Sequence, residues 1–240
     1  MIPQILLLLL LPLISCDFSP HFRKFLHDSY GIAITDMLER TDLGMDASFG
    51  GKDSAADVPR NQAGTAAFLK SKGYKNAEIY GTTWGDGGRT PVGLVEMKCN
   101  YVKQIRAMII AVRQYTGQQV DVIGYSMGAP LARKAILGGQ CVDTREILGA
   151  PLTELVDTFL SVAGANYGRS HTFSIFSTAD EKIGFRSCGR PVSPIRGGTG
   201  FVKRDGLNHD QLMDTTHPLQ RNFILYHSPK APKHNRFLLE

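Results

Sequence analysis

The chain has 240 residues, of which 42% are apolar, and a formal net charge of +5. That length and apolar share support one globular domain with a proper core. Lys and Arg are scattered without a dense run, which argues against a nucleic-acid partner. The mildly basic surface reads first as solvated and second as suited to an anionic lipid interface.

Residues 5–11 form an unbroken apolar run, extended by Pro12, Leu13 and Ile14 and followed by the small residues Ser15 and Cys16. The run is too short to span a bilayer, so residues 1–16 read as a secretory signal peptide preceding a domain of residues 17–240. The expected localisation is therefore secreted, with no transmembrane anchor, because no other stretch is long and apolar enough to cross a membrane. A minority alternative is that Leu13-Ile14-Ser15-Cys16 is a bacterial lipobox with Cys16 lipidated. Cleavage after Cys16 leaves Cys99, Cys141 and Cys188. An exported chain normally pairs its cysteines, so this odd number leaves one without an internal partner in a monomer. The chain has no Asn-x-Ser/Thr acceptor for N-glycosylation.

Ser19-Pro20 opens a predicted helix through His27, with Phe22, Phe25 and Leu26 on one face. Residues 47–60 are small and polar, with no strand-like run. A helix over residues 62–71 ends at Gly73, residues 77–80 read as a strand, and residues 82–91 as a Gly-rich loop. Asn100 is the expected cap of a helix to Thr116, whose apolar face carries Val102, Ile105, Met108, Ile109 and Val112. Residues 156–163 and 172–177 are further strands, and residues 218–226 a closing helix. Helices alternating with apolar strands predict an α/β fold with a mostly parallel sheet.

The most informative stretch lies between these elements. Val120, Val122 and Ile123 form a short β-branched run that leads into Gly124-Tyr125-Ser126-Met127-Gly128, then into a helix-forming segment stopped by Gly138-Gly139. A strand, G-x-S-x-G and a helix form the setting in which a serine is exposed on a sharp turn as a nucleophile. The alternative is a glycine-rich turn whose serine only caps the helix. In the first case Met127 N–H faces a developing oxyanion.

A serine nucleophile needs a base, and the base an orienting acid. Asp180 follows the strand at 172–177, and His209 stands where a Gly- and Pro-rich loop meets a short helix. Ser126, Asp180, His209 thus has the order of an α/β-hydrolase triad. Asp180 could instead cap residues 181–183, and Asp205 and Asp210 are rival acids. Among rival bases, His171 breaks the order, His227 and His234 lie in the terminal segment, and His217 is the main competitor.

The run Val-Asp-Val-Ile-Gly-Tyr-Ser-Met-Gly-Ala-Pro-Leu-Ala-Arg-Lys-Ala-Ile-Leu-Gly-Gly-Gln-Cys resembles the class 2 lipases, a family of secreted triacylglycerol lipases. The resemblance extends from about Phe18 to His227, through Glu-Ile-Tyr-Gly-Thr-Thr-Trp-Gly, Cys-Asn-Tyr-Val-Lys-Gln-Ile-Arg, Val-Asp-Thr-Phe-Leu-Ser-Val-Ala-Gly-Ala-Asn and Ser-x-x-Asp-Glu-Lys-Ile-Gly. It implies a small α/β-hydrolase-like fold with helices on both faces of the sheet. It also implies cleavage of acylglycerols or simpler esters, no organic cofactor, and a nucleophile at Ser126, an acid at Asp180 and a base in the His209-Asp210 pair. Two of the family's segments are missing. One is a strand ending in His-Gly, due between about Gly51 and Gln62, whose loop supplies the second oxyanion donor; Gly50-Gly51 is a candidate substitute that nothing in the sequence positions. The other is the link at residues 164–171, which has eight residues where a parallel crossover usually takes a dozen or more. The alternative to an active esterase is therefore a shortened, catalytically impaired form that binds lipid or a partner without turnover.

Overall fold

The computed structural model describes residues 18–44, 47–52, 63–91, 94–165, 172–187, 190–195 and 197–231. The first part of the chain forms α1 (Pro20–Tyr30), α2 (Ile32–Glu39), β1 (Ser48–Phe49), α3 (Ala63–Ser71), β2 (Gly81–Thr82) and α4 (Cys99–Thr116). Next come β3 (Val120–Tyr125), α5 (Gly128–Leu137), β4 (Val156–Val162) and β5 (Thr172–Phe176). The chain then forms β6 (Arg186–Ser187), β7 (Arg190–Pro191), β8 (Gly200–Lys203), α6 (His209–Thr215) and α7 (His217–Tyr226).

The central sheet is parallel throughout, in the order β3-β4-β5-β8. Alternation along its strands sends side chains to two cores. Phe159 packs with Ala129, Ala132, Ile109 and Val102 beneath α4 and α5. Leu160, Val162, Phe173 and Ile175 pack on the opposite face against Leu212 of α6 and Leu219 and Phe223 of α7. This is an α/β-hydrolase-like arrangement with helices on both faces of the sheet. Phe22 and Leu26 of α1 join Met108 and Val112 in a third cluster on the outer side of α4. No helix among the described residues is long and apolar enough to cross a membrane.

Several local expectations change. Residues 77–80 are not a strand: residues 76–78 form a 3-10 turn, closed by a 2.7 Å hydrogen bond from Lys75 N–H to Glu78, and the strand is β2, starting at Gly81. Its partner β1 lies in the stretch that shows no strand pattern in the sequence. Asn100 does not cap α4; the helix starts at Cys99, whose N–H donates to the Asp143 carboxylate at 2.9 Å. Asp143 lies in a short hairpin closed by the antiparallel bridge between Gln140 and Ile147, and the same hairpin supplies Cys141, which is disulfide-bonded to Cys99. Cys16, Cys188, the predicted leader and most of the segment due to carry the His-Gly strand lie outside the described residues.

The short link after β4 is compatible with parallel pairing because β5 does not start level with β4. Thr172 lies opposite Phe159 and Ile175 opposite Val162. The chain must therefore return by only three residues of strand, about 10 Å at roughly 3.3 Å per residue. The family's longer crossover is not needed for that distance.

Candidate active site

Ser126 follows β3 with a backbone φ of +50°, a left-handed conformation that non-glycine residues adopt at a cost. Neighbouring elements hold the turn in place. Ser126 N–H donates to Val162 O at 3.0 Å, and Ser126 O accepts from Ala129 N–H at 3.1 Å. Gly124 is obligatory: a Cβ there would lie 2.6 Å from Ala129 Cα. Gly164, just past β4, is equally constrained, since its Cβ would meet Ala129 Cβ at 2.4 Å and Ser161 Oγ at 2.5 Å. Together these contacts lift Ser126 above the sheet at the start of α5. The Met127 N–H beside it has no acceptor among the described residues.

Asp180 lies in the turn after β5 and is 3% exposed. Its Oδ1 accepts the N–H groups of Lys182 and Ile183 at 3.1 and 3.0 Å. Both carboxylate oxygens also lie 2.9 Å from His209 Nδ1. Capping the turn and meeting the histidine, read as alternatives from the sequence, coexist in one side chain.

His209 is the first residue of α6, 2% exposed, behind a capping box in which Asn208 and Gln211 satisfy each other's backbone N–H at 2.8 and 3.1 Å. Its Nε2 lies 2.9 Å from Ser126 Oγ. A carboxylate only accepts, so Nδ1 carries the proton toward Asp180 and Nε2 is left to accept the serine O–H. Ser126, His209 and Asp180 therefore form one continuous hydrogen-bonded chain from three separate segments. Two further contacts tie the acid loop to the histidine helix. Glu181 accepts His209 N–H at 3.1 Å, and Lys182 Nζ donates to both oxygens of Asp210 at 2.6 and 2.9 Å.

The rival groups are engaged elsewhere. The Lys182 ammonium holds the Asp210 carboxyl below the usual carboxylate range, and Lys203 together with Thr178 does the same for Asp205. His217 stacks on Phe68 with ring centroids 5.7 Å apart, and burial pushes its pKa down. His227 pairs with Asp157 at 3.2 Å. His171 and His234 lie outside the described residues. The Gly50-Gly51 pair packs against α1 and residues 79–80, with Ser19, Phe22 and Tyr80 as its nearest neighbours.

Glu181 and Gly164 carry no sequence signal as site residues. Both stand in blocks that resemble the lipase family, but their roles depend on contacts across the sheet. Among the described residues, Cys99, Cys141 and Asp143 bring potential metal ligands within 4.8 Å of one another, but the two sulfurs are bonded together and offer no thiolate.

The family model described as Lipase (class 2) matches residues 50–172 and 169–222. No curated protein matches the chain. Since the matched family model spans well over half of its residues, the chain belongs to the class 2 lipase family and is a lipase-like ester hydrolase.

Proposed function

We propose that the protein is an exported serine hydrolase that cleaves carboxylic esters of the acylglycerol type, with lipid catabolism as its role. The observation that carries this reading is the hydrogen-bonded series Ser126 Oγ–His209–Asp180, at 2.9 Å on each side of the imidazole. His209 Nε2 takes the proton as Ser126 Oγ attacks the ester carbonyl, and Asp180 stabilises the imidazolium that forms. Met127 N–H holds the oxygen that becomes negative. The imidazolium then protonates the leaving alcohol. Water, deprotonated by His209, hydrolyses the acyl-enzyme to release the fatty acid.

The apolar leader at residues 1–16 supports export. The substrate would be met as a lipid or ester, including at a lipid–water interface, where a mildly basic surface is suited to anionic lipids. No organic cofactor or metal enters these steps.

The test is the intact mass of the purified chain after fluorophosphonate treatment, compared with Ser126→Ala. One adduct on the wild type and none on the variant is expected. A folded wild type that takes no adduct refutes the hydrolase reading and leaves lipid binding without turnover as the alternative.

A further inference from the structure

Trp84 is the only tryptophan in the chain, and the loop that carries it is fixed from several sides. The Arg40 guanidinium donates to the carbonyls on either side of it, Thr83 O and Gly85 O, each at 2.7 Å. Arg40 is itself held, with its Nε and Nη2 each 2.8 Å from a carboxylate oxygen of Asp42. The buried Gln104 amide donates to Thr83 O at 2.9 Å and to Thr82 Oγ1 at 3.0 Å. Tyr101 packs on the indole with ring centroids 5.7 Å apart.

This bracing presents the indole to the serine turn by its nitrogen-bearing edge. A Cβ built on Gly128 would meet Trp84 Nε1 at 3.3 Å and Cδ1 at 3.9 Å. Gly128 directly follows Met127, the source of the backbone N–H at the oxyanion position. The indole N–H can only donate. It has no acceptor among the described residues, and the side chain is half-buried, so the group stays accessible to a bound molecule.

A rigidly held donor beside a nucleophilic turn, with no acceptor of its own, suits an oxygen that becomes negative during the reaction. We propose that Trp84 Nε1–H is the second oxyanion donor, acting with Met127 N–H. The proposal rests on the hydrolase reading of Ser126. As the Oγ–carbon bond forms, the serine proton passes to His209 Nε2 and the carbonyl π electrons move onto oxygen, where the two N–H groups hold them. When the carbonyl re-forms, the ester C–O bond breaks and the alkoxide takes its proton from His209. Trp84 exchanges no proton at any step.

Because the chain has one tryptophan, growth of a tryptophan-requiring host on β-(3-benzothienyl)alanine replaces Trp84 alone, with sulfur in place of N–H and the ring shape retained. Trp84→Phe is the second variant, and thermal unfolding reports whether each is folded. Loss of a single oxyanion donor lowers kcat by about 10²- to 10³-fold. That loss is expected in both folded variants, at near-wild-type KM and to the same degree on p-nitrophenyl acetate, butyrate and octanoate. Wild-type kcat in the benzothienyl protein overturns the proposal. So does a loss that grows with acyl length, which would make Trp84 an apolar wall for the acyl chain. Fluorophosphonate labelling of the wild type separates the two levels: no adduct refutes the hydrolase reading and the proposal with it, whereas a labelled wild type with fully active variants refutes the proposal alone.

Discussion

Gly124→Ala tests how tightly the geometry of the serine turn is set. The added methyl group would lie 2.6 Å from Ala129 Cα and 3.1 Å from Ala129 N. Both atoms are backbone in the first turn of α5, so no rotamer change relieves the contact. Gly124 has an ordinary negative φ, and the penalty is therefore purely steric. Restoring a normal contact of 3.4 Å requires β3 and α5 to part by about 0.8 Å. Overpacking of this kind costs about 1–3 kcal/mol. For a domain of this size that lowers Tm by roughly 2–12 °C. The same shift moves Ser126 relative to His209, and a misplacement near 1 Å costs on the order of 10² in rate. Gly200→Ala is the control, because its Cβ would meet Phe173 at an ordinary 3.5 Å and its φ is not positive. Thermal unfolding and steady-state hydrolysis of a short-chain ester, measured on both variants, decide the matter. Wild-type melting and kcat in Gly124→Ala would show that β3 and α5 have slack at this contact and do not set the position of Ser126.

Asp180→Asn removes the anionic acceptor from His209 Nδ1 while keeping the side-chain size, and kcat should fall by roughly 10⁴-fold as in other serine triads. Near-wild-type kcat would reduce Asp180 to the cap of its own turn. His217→Gln should leave ester hydrolysis unchanged and should alter the acid limb of stability. Burial lowers the folded-state pKa of His217 below the usual 6.5. Its contribution is therefore complete above that value and lost as pH falls through the lower folded pKa. The variant should show a shallower fall in Tm below about pH 6.5, and an unchanged slope would refute the assignment. Replacing Cys99 and Cys141 together by Ala opens a loop of sequence separation 42. Chain entropy puts the cost at about 4 kcal/mol, read from denaturant unfolding; a double variant as stable as the wild type would show that contacts alone hold the hairpin on α4.

The parts of the molecule legible in the sequence are those fixed by near neighbours along the chain. The β-branched run at Val120, Val122 and Ile123 and the glycines around Ser126 specify a strand and a tight turn locally. Ser19-Pro20 likewise specifies the start of α1, where Ser19 Oγ accepts Phe22 N–H at 3.2 Å. The parts that were not legible depend on distant partners. Asn100 has the residue type of a cap, yet Asp143, 44 residues beyond Cys99, provides the carboxylate. Residues 77–80 have the composition of a strand, but Glu78 reaches back to Lys75 N–H and closes a turn, so pairing starts only at Gly81. α2 has no side-chain cap at its start, and in β8 Phe201 is 60% exposed, so neither carries a strong pattern. The steric demand on Gly164 comes from Ala129 of α5 as well as from Ser161 of its own strand, and the α5 part carries no signal in the segment around Gly164.

The order of strands explains why the site's three side chains meet in the order they do. Ser126 follows β3, Gly164 follows β4, Asp180 follows β5 and His209 follows β8, so successive strands place successive groups along one edge of the sheet. β3 and β5 are two strand spacings apart, about 9–10 Å. An imidazole with a 2.9 Å hydrogen bond at each end spans the gap between side chains rising from those two strands. Gly164, just past the end of β4 between them, lets that strand end pass close to the serine turn, where a side chain would meet Ala129 Cβ at 2.4 Å and Ser126 O at 3.3 Å. His209 comes from beyond β8 and must reach back over β5 to occupy the bridge. The bonds from Glu181 to His209 N–H and from Lys182 to Asp210 fasten α6 to the β5 turn at the place where that reach would otherwise be loosest. A shift of β5 relative to β3 would thus disturb both hydrogen bonds of the imidazole at once, which makes the packing of β4 between them as much a determinant of proton transfer as the histidine itself.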